Sequence, residues 1–186
     1  MKLNINLRPT EKKRDSKRLR REGFVPAVVY GSKTEAKNIT LSENEFQSVL
    51  RKVQKGRLST TVFTLQVEKG KPIQAVIKDI QYHPTTYRIL HLDFEELQDN
   101  VPVKINVPIE FSGVGDCAGV KQGGVLRQVT RNLRVACLPK DIPSCFIIDV
   151  KNLGVKQHKR LSEIELPETI RPVGSLDEVA VVVAKR

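Results

Sequence analysis

The stretch "RDSKRLRREG" (Arg14 to Gly23) concentrates the side chains best suited to hold a polyanion. Arg14, Lys17, Arg18 and Arg21 fall at i, i+3, i+4 and i+7, so a helix here carries them as one basic stripe. Asp15 or Ser16 is the expected N-cap and Gly23 the expected C-terminal stop. Leu19 is the one apolar residue in the run, and the pairs Lys13–Lys17, Arg14–Arg18 and Lys17–Arg21 repel, together costing on the order of 1 kcal/mol. Such a helix needs a counter-charge to be well ordered. The planar fork of arginine suits phosphate oxygens and base edges, which makes phosphate binding the reading of this run. A solvated, frayed charged turn is the alternative.

A second cluster is polar. His91 and Asp93 stand two residues apart on an alternating run, so a strand points both to the face opposite Leu92 and Phe94. Either they form a shared polar site, or they are a surface pair bonded to each other or to water. Tyr30, ending a short apolar run before Gly31, is a candidate contact of the same kind, or a tyrosine at the edge of a core.

Other chemistry finds little support. Glycines 113, 115 and 119 give G-x-G-x-x-x-G, one residue too long for a dinucleotide fingerprint. No phosphate-loop, nucleophile-elbow or zinc-protease motif occurs, and His83, His91 and His158 have no Cys or Ser at an informative spacing. Cys117, Cys137 and Cys145 are odd in number and lie outside any C-x-x-C spacing, which favours buried thiols over disulfides or zinc. Catalysis, a metal and a cofactor are not expected.

Charge locates the polyanion face. The 186 residues carry a formal charge of +11. Residues 1–96 hold 19 Lys and Arg against 11 acidic residues, and residues 97–186 hold 13 against 10. Residues 1–22 alone have nine basic and three acidic side chains, the densest positive field in the chain. The longest apolar stretch is six residues, Val179 to Ala184, and the N-terminus has no hydrophobic segment of signal-peptide type, so membrane and secretory readings are set aside.

Hydrophobic alternation supplies the elements that must position these residues. "KLNINLR" places Leu3, Ile5 and Leu7 on one face. Further strands are expected at 26–31, 38–41, 59–69, 72–82 and 86–97, making a mostly antiparallel sheet. Between them, Ser42 and Glu45 read as a capping box ahead of Phe46, Val49, Leu50 and Val53, a helix from about 43 to 55. A second series of strands begins at "VPVKINVPIEF" (Val101 to Phe111), continues past a Gly-rich stretch and ends at "EVAVVVA", which puts a domain boundary near residue 97. The fold class expected is mainly β, with domains 1–97 and 98–186.

In the first domain "SKRLRREGFVPAVVYG" (Ser16 to Gly31), "HP" (His83, Pro84) and "HLDF" (His91 to Phe94), and in the second "GGVLRQ" (Gly123 to Gln128) and "LPKDIP" (Leu138 to Pro143), follow a known order. With these pieces the chain resembles the bacterial large-subunit ribosomal proteins that bind 5S rRNA, in their longer general-stress-protein (Ctc) form with a C-terminal β domain. The resemblance implies an N-terminal antiparallel β-barrel with short helices that seats on a 5S rRNA helix. It also implies a C-terminal β domain meeting neighbouring ribosomal proteins, and a cytoplasmic, ribosomal location. By match, the family's RNA contacts fall on Arg8, Arg20 or Arg21, Tyr30, His91 and Asp93. With the basic stripe, the candidate RNA-binding residues are Arg8, Arg14, Ser16, Lys17, Arg18, Arg20, Arg21, Tyr30, His91 and Asp93. Which of Lys12, Lys13 and Arg14 meets RNA is left open. Glu22 departs from a family position that is often small or neutral, and is expected to face away from phosphate. A free RNA-binding stress module would use the same surface; co-sedimentation with large subunits in high salt separates the two.

Overall fold

The computed structural model describes residues 1–8, 13–32, 35–67 and 70–185, Lys13 and Arg14 by their backbone only. The chain divides into two compact units, Met1–Val101 and Pro102–Arg186. In the first unit the described elements are β1 (Lys2–Leu7), α1 (Lys13–Arg21), β2 (Phe24–Tyr30), β3 (Lys37–Ser42), α2 (Glu43–Lys52), β4 (Val62–Val67), β5 (Ile73–Tyr82) and β6 (Ile89–Glu96).

Alternation makes the strands one-sided. Leu3 and Ile5, Val25, Ala27 and Val29, Ile39 and Leu41, Phe63 and Leu65, and Leu92 and Phe94 are buried, while most of the residues between them are at least partly exposed. Strands of this pattern remove their apolar face from water by wrapping around it. They close a barrel in the order β1-β3-β2-β6-β5-β4, with β4 returning to β1. Phe63 and Phe94 meet edge to face at its centre, ring centroids 6.2 Å apart.

Four of the seams are antiparallel; β1·β4 and β2·β6 are parallel. The antiparallel barrel expected above is thus a mixed one. Alternation reports which face of a strand is buried, but not which distant strand lies beside it or in which direction.

Local chemistry moves several boundaries. Thr60 and Thr61 hydroxyls donate to the Arg57 carbonyl at 3.0 and 2.7 Å, supporting a 3-10 helix over Leu58–Thr60, so the strand expected from Ser59 starts at Val62. Ser42 makes no side-chain cap bond. Glu45 instead accepts from the backbone N–H and side-chain amide of Asn4, both at 3.1 Å, stitching α2 to β1 rather than completing a capping box. The helix stops at Lys52, short of residue 55, because Val53 is extended and Gly56 takes a φ of +85°. Leu7, expected to share the buried face of Leu3 and Ile5, is 58% exposed as the last residue of β1.

The second unit contains β7 (Val103–Ser112), α3 (Ala118–Lys121), β8 (Gly124–Gln128), β9 (Asn132–Cys137), β10 (Phe146–Asp149), β11 (His158–Arg160), β12 (Arg171–Pro172) and β13 (Val179–Lys185). They form a four-stranded sheet, β10-β7-β9-β12, and a three-stranded sheet, β11-β13-β8. Ile105, Val107, Val135, Ile148, Val181 and Val183 are among its buried side chains. Within its Gly-rich stretch, Gly119 serves close packing. A Cβ on Gly119 would lie 2.8 Å from the carbonyl carbon of Gly154 and 2.9 Å from a Val183 methyl. Cys117 and Cys137 are buried free thiols, and Cys145 is half-buried and free. No helix among the described residues is long and apolar enough to cross a membrane.

Candidate nucleic-acid interface

With Leu92 and Phe94 locked into the barrel, His91, Asp93 and Glu95 of β6 share its outer face. The register then decides their neighbours. Val28 and Tyr30 of β2 lie opposite Asp93 and Glu95, and on the other side Asp79 and Gln81 of β5 lie opposite Asp93 and His91. Tyr30, His91 and Asp93 are therefore brought together on one sheet surface. His91 Nδ1 and Asp93 Oδ1 are 2.6 Å apart, and Lys78 pairs with Glu95 at 2.5 Å.

Asp79 facing Asp93 is a like-charge pair, ordinarily destabilising across a sheet. It sits where the β5·β6 register shifts between Ile77 and Asp79, and Asp79 accepts the N–H of Ile80 at 2.8 Å. Burial, reinforced by the carboxylates of Asp93, Glu95 and Asp79, pushes the Tyr30 hydroxyl above its ordinary pKa. Tyr30 thus keeps its proton as a donor at neutral pH. The centre of the face is rich in acceptors and holds one phenolic donor.

The cations lie at its margin. Helix α1 begins at Lys13, so neither Asp15 nor Ser16 caps it; Asp15 lies in its first turn, where a carboxylate favours the helix dipole, and Ser16 is half-buried. Gly23 ends it in the left-handed region, φ +83°. Two bonds fasten the helix to β6 and its approach. The Arg20 Nε donates to the Leu90 carbonyl at 3.0 Å, and an Arg88 Nη2 donates to the Arg20 carbonyl at 3.3 Å. Arg20 is thus partly committed to the fold. Arg18 pairs with Glu22 at 2.8 Å, so the unusual Glu22 supplies the counter-charge this helix needs. Lys17 and Arg21 are exposed. Arg14 belongs to α1 by its backbone, while its side chain and Lys12 lie outside what the structure describes.

Arg8 follows β1 and lies on the β3 side of that face. Its N–H donates to the Asn38 carbonyl at 3.0 Å, Asn38 pairs with Val28, and Val28 pairs with Asp93. At about 4.8 Å per strand, the backbones of Arg8 and Asp93 are roughly 14 Å apart across the sheet. Sequence reasoning missed Lys78, Asp79 and Glu95. Glu95 was open to detection, since it continues the i, i+2 series from His91; Asp79 was not, because the register shift in β5 is invisible to alternation.

Two family models match the chain, Ribosomal L25p over residues 3–94 and the C-terminal domain of ribosomal protein TL5 over residues 102–186. Among curated relatives, the Large ribosomal subunit protein bL25 of Chlamydia trachomatis serovar A is 49% identical over 186 residues, all of both chains. The chain belongs to the ribosomal L25p family. Proteins of the same name from Chlamydia muridarum and Chlamydia pneumoniae are 47% and 46% identical, again over the full length of both chains. The L25p match spans every candidate residue read from the sequence, from Arg8 to Asp93, and the TL5 match falls within the second compact unit, the two-part pattern of the long family form.

Proposed function

We propose that this chain holds 5S rRNA in the large ribosomal subunit through the outer face of β2, β5 and β6 and the basic margin beside it. The chain is a structural constituent of the large subunit, with its place on the ribosome, and not an enzyme. The observation that carries the RNA assignment is the joining of Tyr30, His91 and Asp93 on one sheet face to which α1 is tied through Arg20 and Leu90.

An A-form helix shows its readable edges in a wide, shallow minor groove, and is recognised there through shape, phosphates and 2′-hydroxyls. A sheet face with cations at its margins is suited to that surface. Lys17, Arg21 and Arg8 anchor phosphates, while Tyr30 donates to, and Asp93 accepts from, sugar hydroxyls and base edges. A carboxylate beside phosphate is otherwise repelled, so an acceptor-rich centre fits a groove whose donors are 2′-hydroxyls and guanine amino groups. The second unit, less basic than the first, meets neighbouring ribosomal protein. The test is a gel-shift comparison of 5S rRNA with tRNA of similar length at physiological salt, in which 5S rRNA binds tightly and tRNA weakly; equal binding to both refutes the assignment.

Asp93→Asn removes an acceptor without removing any attraction for phosphate. It should lower the preference for 5S rRNA over an unrelated RNA duplex about tenfold, the size of one good base-edge contact, with little loss on the unrelated duplex. Equal loss on both RNAs, or none on either, contradicts a reading role for Asp93.

A further inference from the structure

The hairpin joining β5 to β6 carries a feature that neither barrel packing nor the site above uses. Tyr87 has a φ of +53°, a left-handed conformation that an aromatic residue adopts only at a cost. Its side chain gains no burial in return, for at 77% exposure Tyr87 is the most exposed of the large hydrophobic residues described. The backbone beneath it is held firmly. Tyr87 N–H donates to the His83 carbonyl at 2.9 Å, His83 N–H to the Arg88 carbonyl at 2.8 Å, and the N–H groups of Thr85 and Thr86 lie 3.3 Å from His83 Nδ1. Arg88 is pinned in turn, its guanidinium on Glu43 at 2.7 Å and on the Arg20 carbonyl at 3.3 Å.

A firmly held backbone thus presents this ring to solvent, and its place bears on the RNA site. Tyr87 stands four residues before His91 on the same chain segment, at most about 13 Å away along it. The next residue, Arg88, is bonded to α1, the most basic of the described elements. Residues held in unfavourable backbone regions without packing gain cluster at ligand contacts. A flat, exposed ring beside a cationic helix suits stacking, since every nucleobase has a π-face and a stacked base needs no hydrogen-bond partner from the protein.

We propose that Tyr87 is a stacking residue, receiving an unpaired base of the bound RNA just beyond the paired groove read by His91 and Asp93. This rests on the 5S rRNA reading above. Glycine is the variant that separates binding from stability, because it adopts φ +53° freely. In the full chain, Tyr87→Gly should raise the melting temperature of the first unit by a few degrees while weakening 5S rRNA binding about tenfold, within the range of one stacked base. Tyr87→Ala should lose a similar amount of affinity. Tyr87→Phe, which keeps the ring, should bind as wild type, and no variant should change the salt dependence, since no phosphate contact is lost.

Gel shifts against 5S rRNA, with thermal melts of the same proteins, decide it. Wild-type affinity in Tyr87→Gly overturns the proposal and leaves the 5S reading standing. A Tyr87→Phe loss as large as that of Tyr87→Ala also overturns it, by assigning the contact to the hydroxyl. If the wild-type chain itself fails to bind 5S rRNA, both readings fall together.

Discussion

Replacing Lys17 and Arg21 with alanine in the full chain should weaken 5S rRNA binding about thirtyfold at ~0.15 M salt. Each phosphate contact contributes roughly 0.9 to the slope of log affinity against log salt, which is about fivefold per contact at that ionic strength. The slope itself should therefore become shallower by about 1.8. These two positions are preferred to the other basic residues of α1 for a structural reason. Arg18 is engaged with Glu22, and Arg20 donates to the Leu90 carbonyl, so their removal disturbs the helix or its anchorage along with any RNA contact. Lys17 and Arg21 are exposed, and their loss should leave the melting temperature nearly unchanged. Titrations at four or five salt concentrations measure both quantities. Wild-type affinity and slope in the double variant mean that this part of the stripe is only solvated charge.

The same helix shows how far sequence reading reaches. The helix over the basic run and the stop at Gly23 are local properties, and both appear in the fold. Arg20 looked equivalent to Arg21 in sequence; only the approach of β6, 70 residues away, separates a residue bonded to Leu90 from one facing solvent. The pairing of His91 with Asp93 follows from two-residue periodicity alone. That Tyr30 joins them depends on the parallel β2·β6 seam, which no local pattern encodes. Asp79 escaped notice for a related reason: the register shift after Ile77 sets it opposite Asp93. Tyr87 lay inside a segment read as strand, and its left-handed turn arises from bonds to His83 that alternation does not report.

Separating the two units should separate the RNA affinity almost completely. Met1–Val101 encloses its own barrel core, with Phe46, Phe63, Phe94, Leu3, Ile5 and Leu65 fully buried, and holds every residue assigned here to RNA. A unit of about 100 residues is large enough to bury an independent core, so the fragment 1–101 should fold alone and keep most of the 5S rRNA affinity of the full chain. The fragment 102–186 has its own buried set, including Val107, Val135, Val181 and Val183, and should also fold. It carries 13 basic against 9 acidic residues and no run as basic as Arg14 to Arg21, so its affinity for the same RNA should be lower by about a thousandfold, the low end of the gap between specific and non-specific nucleic-acid binding. Circular dichroism melts establish that each fragment is folded before either is compared. Titration of both against labelled 5S rRNA then gives the answer: comparable binding by 102–186 would mean that the RNA site is not confined to the barrel, and that the face of β2, β5 and β6 is at most half of it.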